Sequence, residues 1–318
     1  MDVVSDAVSA VRVGRPASNR VRVSGSWCTR LAPYDGAGFH VVLEGSCWLL
    51  PEGGSPLSLG TGDVVLLPHG TEHVMADAPA DAAAVEQAVP FEQWLDGHEP
   101  HRPPATTPDE AQMQTPVQML CGKYRLDRSR VHPLMAELPE VVHLPNRVGA
   151  HPELRAAVDL LGHELATQGP GSCLAVPSLL DLLLVYMIRS WAARDTNGTW
   201  PAVLGDPVAA AALRALHSDP AAPWTNDRLA AEAGVSRATL ARRFTTLVGR
   251  PPMAYLTWWR LTFAATLLRD TPDPLATVAR RVGYGTPYAF SHAFSREFGT
   301  TPGQYRTETA GAGQSTTR

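Results

Sequence analysis

One pattern of residues occurs twice near the end of the chain. The first copy reads Thr225-Asn226-Asp227-Arg228-Leu229-Ala230-Ala231-Glu232-Ala233-Gly234-Val235-Ser236, then Arg237-Ala238-Thr239-Leu240-Ala241-Arg242-Arg243-Phe244. The second copy reads Pro274-Leu275-Ala276-Thr277-Val278-Ala279-Arg280-Arg281-Val282-Gly283-Tyr284, then, after Gly285, Thr286-Pro287-Tyr288-Ala289-Phe290-Ser291-His292-Ala293-Phe294. Each copy places an alanine four residues before a glycine and, further on, two apolar residues four positions apart. The repeat therefore predicts two structural units of the same kind.

Each copy is predicted to form two helices that cross closely at a tight turn. The small alanine lets the second helix approach the first, and the glycine accepts the turn conformation. The second helix is predicted to begin after an N-cap, which is Ser236 in the first copy and Thr286 in the second. Its two apolar residues lie on one face and anchor the helix to a core. These pairs are Leu240 with Phe244 and Phe290 with Phe294.

A single copy fits an ordinary helical hairpin as well as a DNA-binding unit. Two copies joined by a predicted helix from Met253 to Leu268, with arginines facing outward, favour a tandem helix-turn-helix module. From Gly205 to Arg318 there are 13 Arg against 8 Asp and Glu, although the whole chain has a net charge of −4. This local excess of positive charge indicates that the C-terminal part contacts a polyanion. The predicted partner is double-stranded DNA.

The candidate DNA contacts are outward side chains of the second helices and their N-caps. They are Ser236, Arg237, Ala238, Ala241, Arg242, Arg243, Thr286, Tyr288, Ser291, His292 and Arg296. Arg243 and Arg296 are candidates for phosphate contacts, with a solvated charge as the alternative for either.

Residues Asp206 to Arg306 resemble the DNA-binding domain of the AraC/XylS family of regulators. Besides the repeat, the resemblance rests on Gly249-Arg250-Pro251-Pro252 before the linking helix and on the ending Phe298-Gly299-Thr300-Thr301-Pro302-Gly303-Gln304-Tyr305-Arg306. It implies that each second helix enters one of two successive major grooves on one face of the duplex. Carried over by position, the resemblance also implies that the outward residues of the first copy face bases, with Arg242 as the contact to guanine O6 and N7. Ala238 and Ala241 stand where larger side chains are common in the family, and His292 stands where Arg is common. The two units are therefore expected to be unequal readers.

The N-terminal part favours short strands. Apolar runs broken by Gly, Pro and Asp, such as 38–43, 47–50 and 63–67, predict a small antiparallel barrel or sandwich. Gly62, Pro68, Gly70 and His73 match the spacing of the second cupin motif. The first motif is partial, because Gly38 stands where cupins usually carry a His before His40 and Glu44. The segment, including 120–124 and 132–134, also resembles the cupin-like sensor domain of an AraC-type subgroup, which implies a small-molecule effector.

His40, Glu44 and His73 are the candidate residues of this domain. On a regular strand His40 and Glu44 point to the same face, so with His73 they would form a two-His, one-carboxylate site for a divalent metal. In the alternative, the barrel is degenerate and these side chains line an effector pocket or bond to the backbone. A further alternative is a thiol sensor that uses Cys28, Cys47 or Cys121, although free cysteines are more often simply buried.

Helical periodicity begins at about Pro152, and the segment from Ser178 to Trp191 is apolar on most sides. Such a helix has to be covered by other elements or by a second subunit, so we expect a homodimer. The predicted domains are a cupin-like sensor (1–145), a helical dimerisation and linker segment (146–204), a DNA-binding domain (205–306) and a disordered tail (307–318). Residues from Ala76 to Pro116 are predicted to form a mobile loop or an insertion. The predicted fold is α+β with two domains, an antiparallel barrel followed by helices and then an all-α tandem helix-turn-helix.

Two classes of function follow from this organisation. In the first, the chain is a transcription regulator that binds DNA and a small effector, and contacts RNA polymerase if it is an activator. In the second, the barrel is a metal-dependent enzyme fused to a DNA-binding tail. The sequence contains no general-base pair or nucleophile constellation, which favours a regulator that is not an enzyme. The acidic N-terminus and a most apolar stretch of only 174–188, interrupted by Pro177 and Asp181, predict a cytoplasmic protein without a membrane partner.

Overall fold

The computed structural model describes residues 3–97, 116–126, 132–194 and 198–314. The chain forms two compact units. The barrel unit comprises Val13–Arg128 and Leu138–Trp191, and the helical unit comprises Met1–Arg12, Ser129–Glu137 and Ala192–Arg318. This division differs from the predicted domain boundaries, because Leu138–Trp191 belongs with the strands, whereas Met1–Arg12 and Ser129–Glu137 belong with the C-terminal helices.

The strands of the described chain all lie in the barrel unit. In chain order they are β1 Ala17–Val23, β2 Cys28–Leu31, β3 Gly36–Glu44, β4 Ser46–Pro51, β5 Leu57–Gly60, β6 Val64–Leu67, β7 His73–Ala76, β8 Val89–Pro90, β9 Val117–Arg125 and β10 Val142–Leu144. One sheet has the order β1-β9-β3-β6-β10 and the other β5-β4-β7-β2-β8. Neighbouring strands are antiparallel apart from β2 and β8. The predicted antiparallel strand domain is confirmed.

The apolar core of the barrel unit lies between its two sheets. Val42, Val65 and Met119 of the first sheet and Leu49 and Met75 of the second belong to one buried cluster. Alternation along each strand places these side chains on the inner faces, where removal of apolar surface from water stabilises the fold.

The helices of the described chain are distributed over both units. In chain order they are α1 Val3–Val11, α2 Ala82–Glu86, α3 Phe91–Gly97, α4 Pro133–Ala136, α5 Pro152–Thr167, α6 Ser172–Arg194, α7 Thr199–Gly205, α8 Pro207–Ser218, α9 Asn226–Glu232, α10 Arg237–Val248, α11 Pro252–Asp270, α12 Leu275–Arg281, α13 Pro287–Phe298 and α14 Pro302–Gln314. Of the two alternatives for residues 76–116, the mobile loop is wrong for α2, β8 and α3, which have regular structure. Residues 98–115 lie outside the described residues. The predicted disordered tail is wrong as far as Gln314, and 315–318 also lie outside them.

Helix α6 is longer than the apolar stretch seen in the sequence. It has 23 residues and is long and apolar enough to cross a membrane by length and composition alone. The expectation that this segment is too short is therefore wrong, because the helix continues through Pro177 and beyond the apolar run. Only 28% of its apolar window is buried. A single such helix is weak evidence for a membrane, since its other apolar residues are equally suited to a protein partner.

The helical unit contains the tandem repeat in the predicted form. The turn after α9 is closed by the Val235 amide donating to the Ala230 carbonyl at 3.0 Å, and the turn after α12 by Tyr284 donating to Ala279 at 2.9 Å. Leu240, Phe244, Phe290 and Phe294 are fully buried. The linking helix α11 spans the predicted segment and extends slightly beyond it. Both helix-turn-helix units and their apolar anchors are thus confirmed.

A buried chain of hydrogen bonds joins four parts of the helical unit. Asp6 of α1 contacts Nδ1 of His217 at 2.8 Å, and Nε2 of His217 contacts the Tyr255 hydroxyl at 2.8 Å. The same hydroxyl lies 3.3 Å from Nε2 of His132, whose Nδ1 accepts from the Leu134 amide. Since Nδ1 of His132 accepts, its Nε2 donates to Tyr255, Tyr255 donates to His217, and His217 donates to the Asp6 carboxylate. Nothing in the sequence pattern predicted this network.

Candidate functional site: the DNA interface and the barrel cavity

The two second helices begin in the same way. The Ser236 hydroxyl accepts from the Thr239 amide at 3.2 Å, and the Thr286 hydroxyl accepts from the Ala289 amide at 3.1 Å. These bonds satisfy amide groups that the first turn of a helix leaves unpaired. Ser236 and Thr286 are therefore N-caps, and each fixes the start of the helix that carries the candidate contacts.

The outward face of α10 combines small residues with arginines. Arg237, Ala238 and Arg242 are exposed and Ala241 is half-buried. Arg237 lies 3.6 Å from Asp227, but both side chains are largely exposed, so water screens this pair. Within the described part of the chain Arg242 makes no hydrogen bond or ion pair. Its guanidinium is therefore available to an outside partner.

Arg243, although adjacent to Arg242, is held by the protein itself. Its Nη2 donates to Asp206 at 2.6 Å. The other oxygen of Asp206 accepts from the Val208 and Ala209 amides and caps α8. A carboxylate that is fixed in this way holds the Arg243 guanidinium at the start of α8. The sequence predicted Arg243 as a candidate phosphate contact, but it could not show the ion pair of Arg243 with Asp206.

The outward face of α13 is chemically different. Tyr288 is 82% exposed, and His292 and Arg296 are also exposed. Together with Ser291 and Ser295 they line one shallow open groove. The groove thus brings together most of the second-copy residues that the sequence singled out, although Thr286 is not among them. Of the side chains that line it, only Arg296 contributes a fixed positive charge.

Arg228 of α9 is a further cation of the first helix-turn-helix, which the sequence did not single out as a candidate contact. Its guanidinium lies 4.5 Å from the centre of the Trp224 ring, and the Trp224 Nε1 donates to the Asp219 carbonyl at 2.8 Å. A stacked ring restricts the long side chain of an arginine. The signal in the sequence was the aromatic residue four positions before the arginine.

The barrel unit contains a cavity of about 170 Å³ between its two sheets and α3, which is open to solvent on one side. The apolar side chains that line it include Leu31, Phe91 and Leu95. The polar side chains are Asn19, Tyr34, His40, His73, Glu92, Cys121 and Lys123. The sequence predicted His40 and His73 here, but it missed α3, whose segment was predicted to be a mobile loop, and it missed Lys123, the only lysine of the chain.

His40 and His73 are buried and in direct contact. Their Nε2 atoms lie 2.8 Å apart, and Nδ1 of His40 lies 3.1 Å from Sγ of Cys121. Burial lowers the pKa of both imidazoles, most of all that of His40, because charge is poorly solvated there. Burial also raises the pKa of the Cys121 thiol. All three groups are therefore neutral in the resting protein.

The predicted third metal ligand does not join them. His40 pairs with Cys121 and Val42 with Met119, but a bulge follows and Glu44 pairs with Gln118. Gln118 and Met119 lie on opposite faces of β9, so Glu44 points away from His40 and is exposed. The described residues contain no group of three His, Cys, Asp or Glu side chains that could hold a metal ion. The predicted set of His40, Glu44 and His73 is wrong, because one extra residue reverses the strand's alternation.

Two family models match the chain. Residues 2–193 match the cupin model Cupin_6, and residues 229–308 match a helix-turn-helix domain. Proteins named as AraC-like transcription regulators in Streptomyces antibioticus and Streptomyces lividans are each 33% identical, over 313 and 309 residues, which are 96% of this chain and 98% of each relative. The transcriptional regulator AlkR of Acinetobacter baylyi is 27% identical over 311 residues, which are 96% of this chain and 99% of AlkR.

A cupin domain followed by paired helix-turn-helix units defines a DNA-binding transcription regulator. The chain belongs to the AraC family of transcription regulators and carries its cupin domain at the N-terminus.

Proposed function

We propose that α10 is the principal reader of DNA sequence in this regulator and that α13 contributes a weaker contact. The observation that carries this proposal is the difference between the two outward faces. Helix α10 presents the unpaired guanidinium of Arg242, which matches the two acceptors of a guanine edge. Helix α13 presents Tyr288, Ser291 and His292, with Arg296 as a phosphate contact. Ala238 and Ala241 let α10 approach the bases closely, and Arg237 lies beside them.

The matched pair Arg242→Ala and Arg243→Ala tests this assignment. DNA fragments selected from a random pool by the full-length protein define its preferred site. On that site Arg242→Ala is expected to weaken binding by about 1–3 kcal/mol and to relax the preference at one base pair. Arg243→Ala is expected to leave the base preference unchanged, since Asp206 holds that guanidinium. An Arg242→Ala variant that keeps full affinity and full base preference would overturn the assignment.

The barrel cavity is the proposed effector site of the same protein. Apolar walls with a few polar groups are typical of small-molecule pockets. The effector changes the affinity for DNA by favouring one arrangement of the DNA-binding helices, which is an allosteric coupling. Glu44 is left out of the pocket, because it lies on the opposite face of its strand.

A second copy of the chain is the proposed partner of α5 and α6. Leu160 of α5 and Leu174 and Leu182 of α6 are exposed, at 55%, 76% and 40%. Burial of such a surface in a homodimer removes it from water. In this proposal the apolar helix α6 therefore packs against a second subunit of a cytoplasmic protein rather than in a membrane. The regulator is not an enzyme in this proposal, and RNA polymerase is a partner if it activates transcription.

A further inference from the structure

Three side chains on the wall of the barrel cavity form a connected set that DNA binding does not use. His40 of β3 and Cys121 of β9 are register partners, so both point to the inner face. His73 begins β7 in the opposite sheet. All three line the cavity. A thiol and two imidazoles thus meet where a small molecule would lie.

The hydrogen bonds of this set have only one consistent direction. The Thr71 carbonyl can only accept, so Nδ1 of His73, 3.1 Å away, carries the ring proton. A neutral His73 then accepts at Nε2, and the proton between the two rings belongs to Nε2 of His40. Nδ1 of His40 is therefore left with a lone pair directed at the Cys121 thiol. The chain of bonds fixes His40 as a base that faces a thiol.

The other cysteines lack this arrangement. Sγ of Cys47 lies 3.7 Å from the Met119 sulfur in the apolar core, and Sγ of Cys28 lies 3.7 Å from the Ala84 carbonyl. Cys173 is exposed. In the parts of the chain that the structure describes, an imidazole partner is found for Cys121 alone. Cys173 therefore serves as a matched control that is more accessible but not activated.

The cavity limits the size and polarity of the reagent. An engineered cavity of about 150 Å³ holds benzene, so the volume found here fits a single six-membered ring. Leu31, Phe91 and Leu95 favour an apolar ring, whereas Asn19 and Lys123 also line the cavity and carry hydrogen-bond donors for a carbonyl oxygen.

We propose that Cys121 is a modification site for small α,β-unsaturated carbonyl compounds, with His40 as the base. The proposal rests on the proposed effector role of the same cavity. The thiol proton moves to Nδ1 of His40 while sulfur forms a bond to the β-carbon. The carbon–carbon π pair passes to the carbonyl as an enolate, which Asn19 and Lys123 stabilise. The proton then returns from His40 to the α-carbon, so the S–H bond has added across the double bond and no oxidant or reductant is needed.

The buried setting explains why a base is required. Because burial raises the pKa of the Cys121 thiol, the thiolate is not present at rest. The adduct fills the cavity and removes the bond between the thiol and His40. A covalent ligand would thereby convert a chemical signal into a lasting change in the barrel unit.

Mass spectrometry of the full-length protein treated with 2-cyclohexen-1-one tests the proposal. We expect one adduct per chain, located on Cys121 by peptide mapping. The adduct is absent from Cys121→Ser and retained at Cys121 in Cys173→Ser. Cyclohexanone, which has the same ring without the double bond, gives no adduct. Labelling of Cys173 or Cys28 with none at Cys121 would overturn the proposal.

The rate of addition tests the role of His40. His40→Asn is expected to slow the reaction at Cys121 at least about tenfold. A folded His40→Asn protein that reacts at the original rate would remove His40 as the base. Where this variant does not fold, the comparison of Cys121→Ser with Cys173→Ser still decides whether Cys121 is the site.

DNA affinity separates this proposal from the effector role. An adduct at Cys121 that leaves DNA binding unchanged would keep the modification site and overturn the effector role of the cavity. A DNA response to cyclohexanone that persists in Cys121→Ser, together with no adduct in the original protein, would keep the effector role and overturn the modification.

Discussion

At the scale of single residues, Asp6 is a buried carboxylate that takes part in the hydrogen-bond network of the helical unit. Its carboxylate is 2% exposed and accepts from His217, which is fully buried. The pair continues through Tyr255 to His132 and so connects α1, α8, α11 and the segment at α4. Removing one member of a buried pair leaves the other without its partner in a poorly solvating interior.

Asp6→Ala is therefore expected to lower the free energy of unfolding by about 3 kcal/mol. Urea unfolding followed by circular dichroism measures the change. Asp227→Ala is the control, because Asp227 is largely exposed in its pair with Arg237 and the change should cost less than about 1 kcal/mol. Equal, small effects of both substitutions would show that the buried network does not stabilise the fold.

The buried His132 makes the free energy of unfolding depend on pH. Burial, and then the nearby His217, lower the pKa of His132 well below its ordinary value of 6.5. Below that value the unfolded chain binds a proton that the folded protein does not, so the free energy of unfolding falls as the pH falls. The contribution of neutral, buried His132 to the free energy of unfolding is therefore fully present above pH 6.5 and is lost as the pH falls below it.

Urea unfolding between pH 7.5 and pH 5.5 checks this prediction. For one such group, the free energy of unfolding falls by at most about 1.4 kcal/mol per pH unit. His132→Asn, which keeps a residue suited to the N-cap position before α4, is expected to show a shallower loss. His292→Ala, which removes an exposed histidine of α13, is the matched control. If the free energy of unfolding depends on pH equally in the original protein and in both variants, His132 is not the cause of that dependence.

At the scale of elements, the two turn glycines look alike in sequence but have different surroundings. Gly234 and Gly283 both have positive φ, +65° and +82°. A Cβ on Gly234 would meet nothing within 4 Å, whereas one on Gly283 would lie 2.9 Å from the Ala221 Cα and 2.8 Å from the Arg260 side chain. Arg260 is held there by bonds to the Pro220 and Ala222 carbonyls.

Gly234→Ala is expected to cost about 1–2 kcal/mol, because an L-residue is strained at positive φ. Gly283→Ala should cost a further 1–3 kcal/mol or so, since its Cβ has to displace packed backbone. Thermal unfolding of the two variants measures the difference. Two equal losses would show that the backbone conformation alone accounts for both.

At the scale of the whole molecule, the proposed dimer assigns a partner to the exposed apolar residues of α5 and α6. The surface includes Leu182, whereas Val148 is a fully exposed apolar residue in a loop outside both helices. A charge within a buried apolar interface is costly to desolvate. A charge on an exposed loop is not.

Leu182→Glu is accordingly expected to halve the mass measured by light scattering over a range of protein concentrations. Val148→Glu should leave the dimer mass unchanged. A monomer mass for the original protein at all concentrations would overturn the homodimer, and association of the original protein with lipid vesicles would assign α6 to a membrane instead.

The sequence by itself determined the tandem helix-turn-helix and the strands of the barrel, because both depend on local spacing. The turn of a helix-turn-helix unit needs small residues at fixed intervals, and a buried strand needs a short apolar run. Leu240, Phe244, Phe290 and Phe294 occupy the cores that their spacing predicted. Tertiary structure alone decided the rest. A bulge before Glu44 turns its side chain away from His40, and the strand register places Cys121 beside His40. Asp206 binds the guanidinium of Arg243. Such contacts join residues far apart in the chain, so their geometry depends on the packing of whole elements.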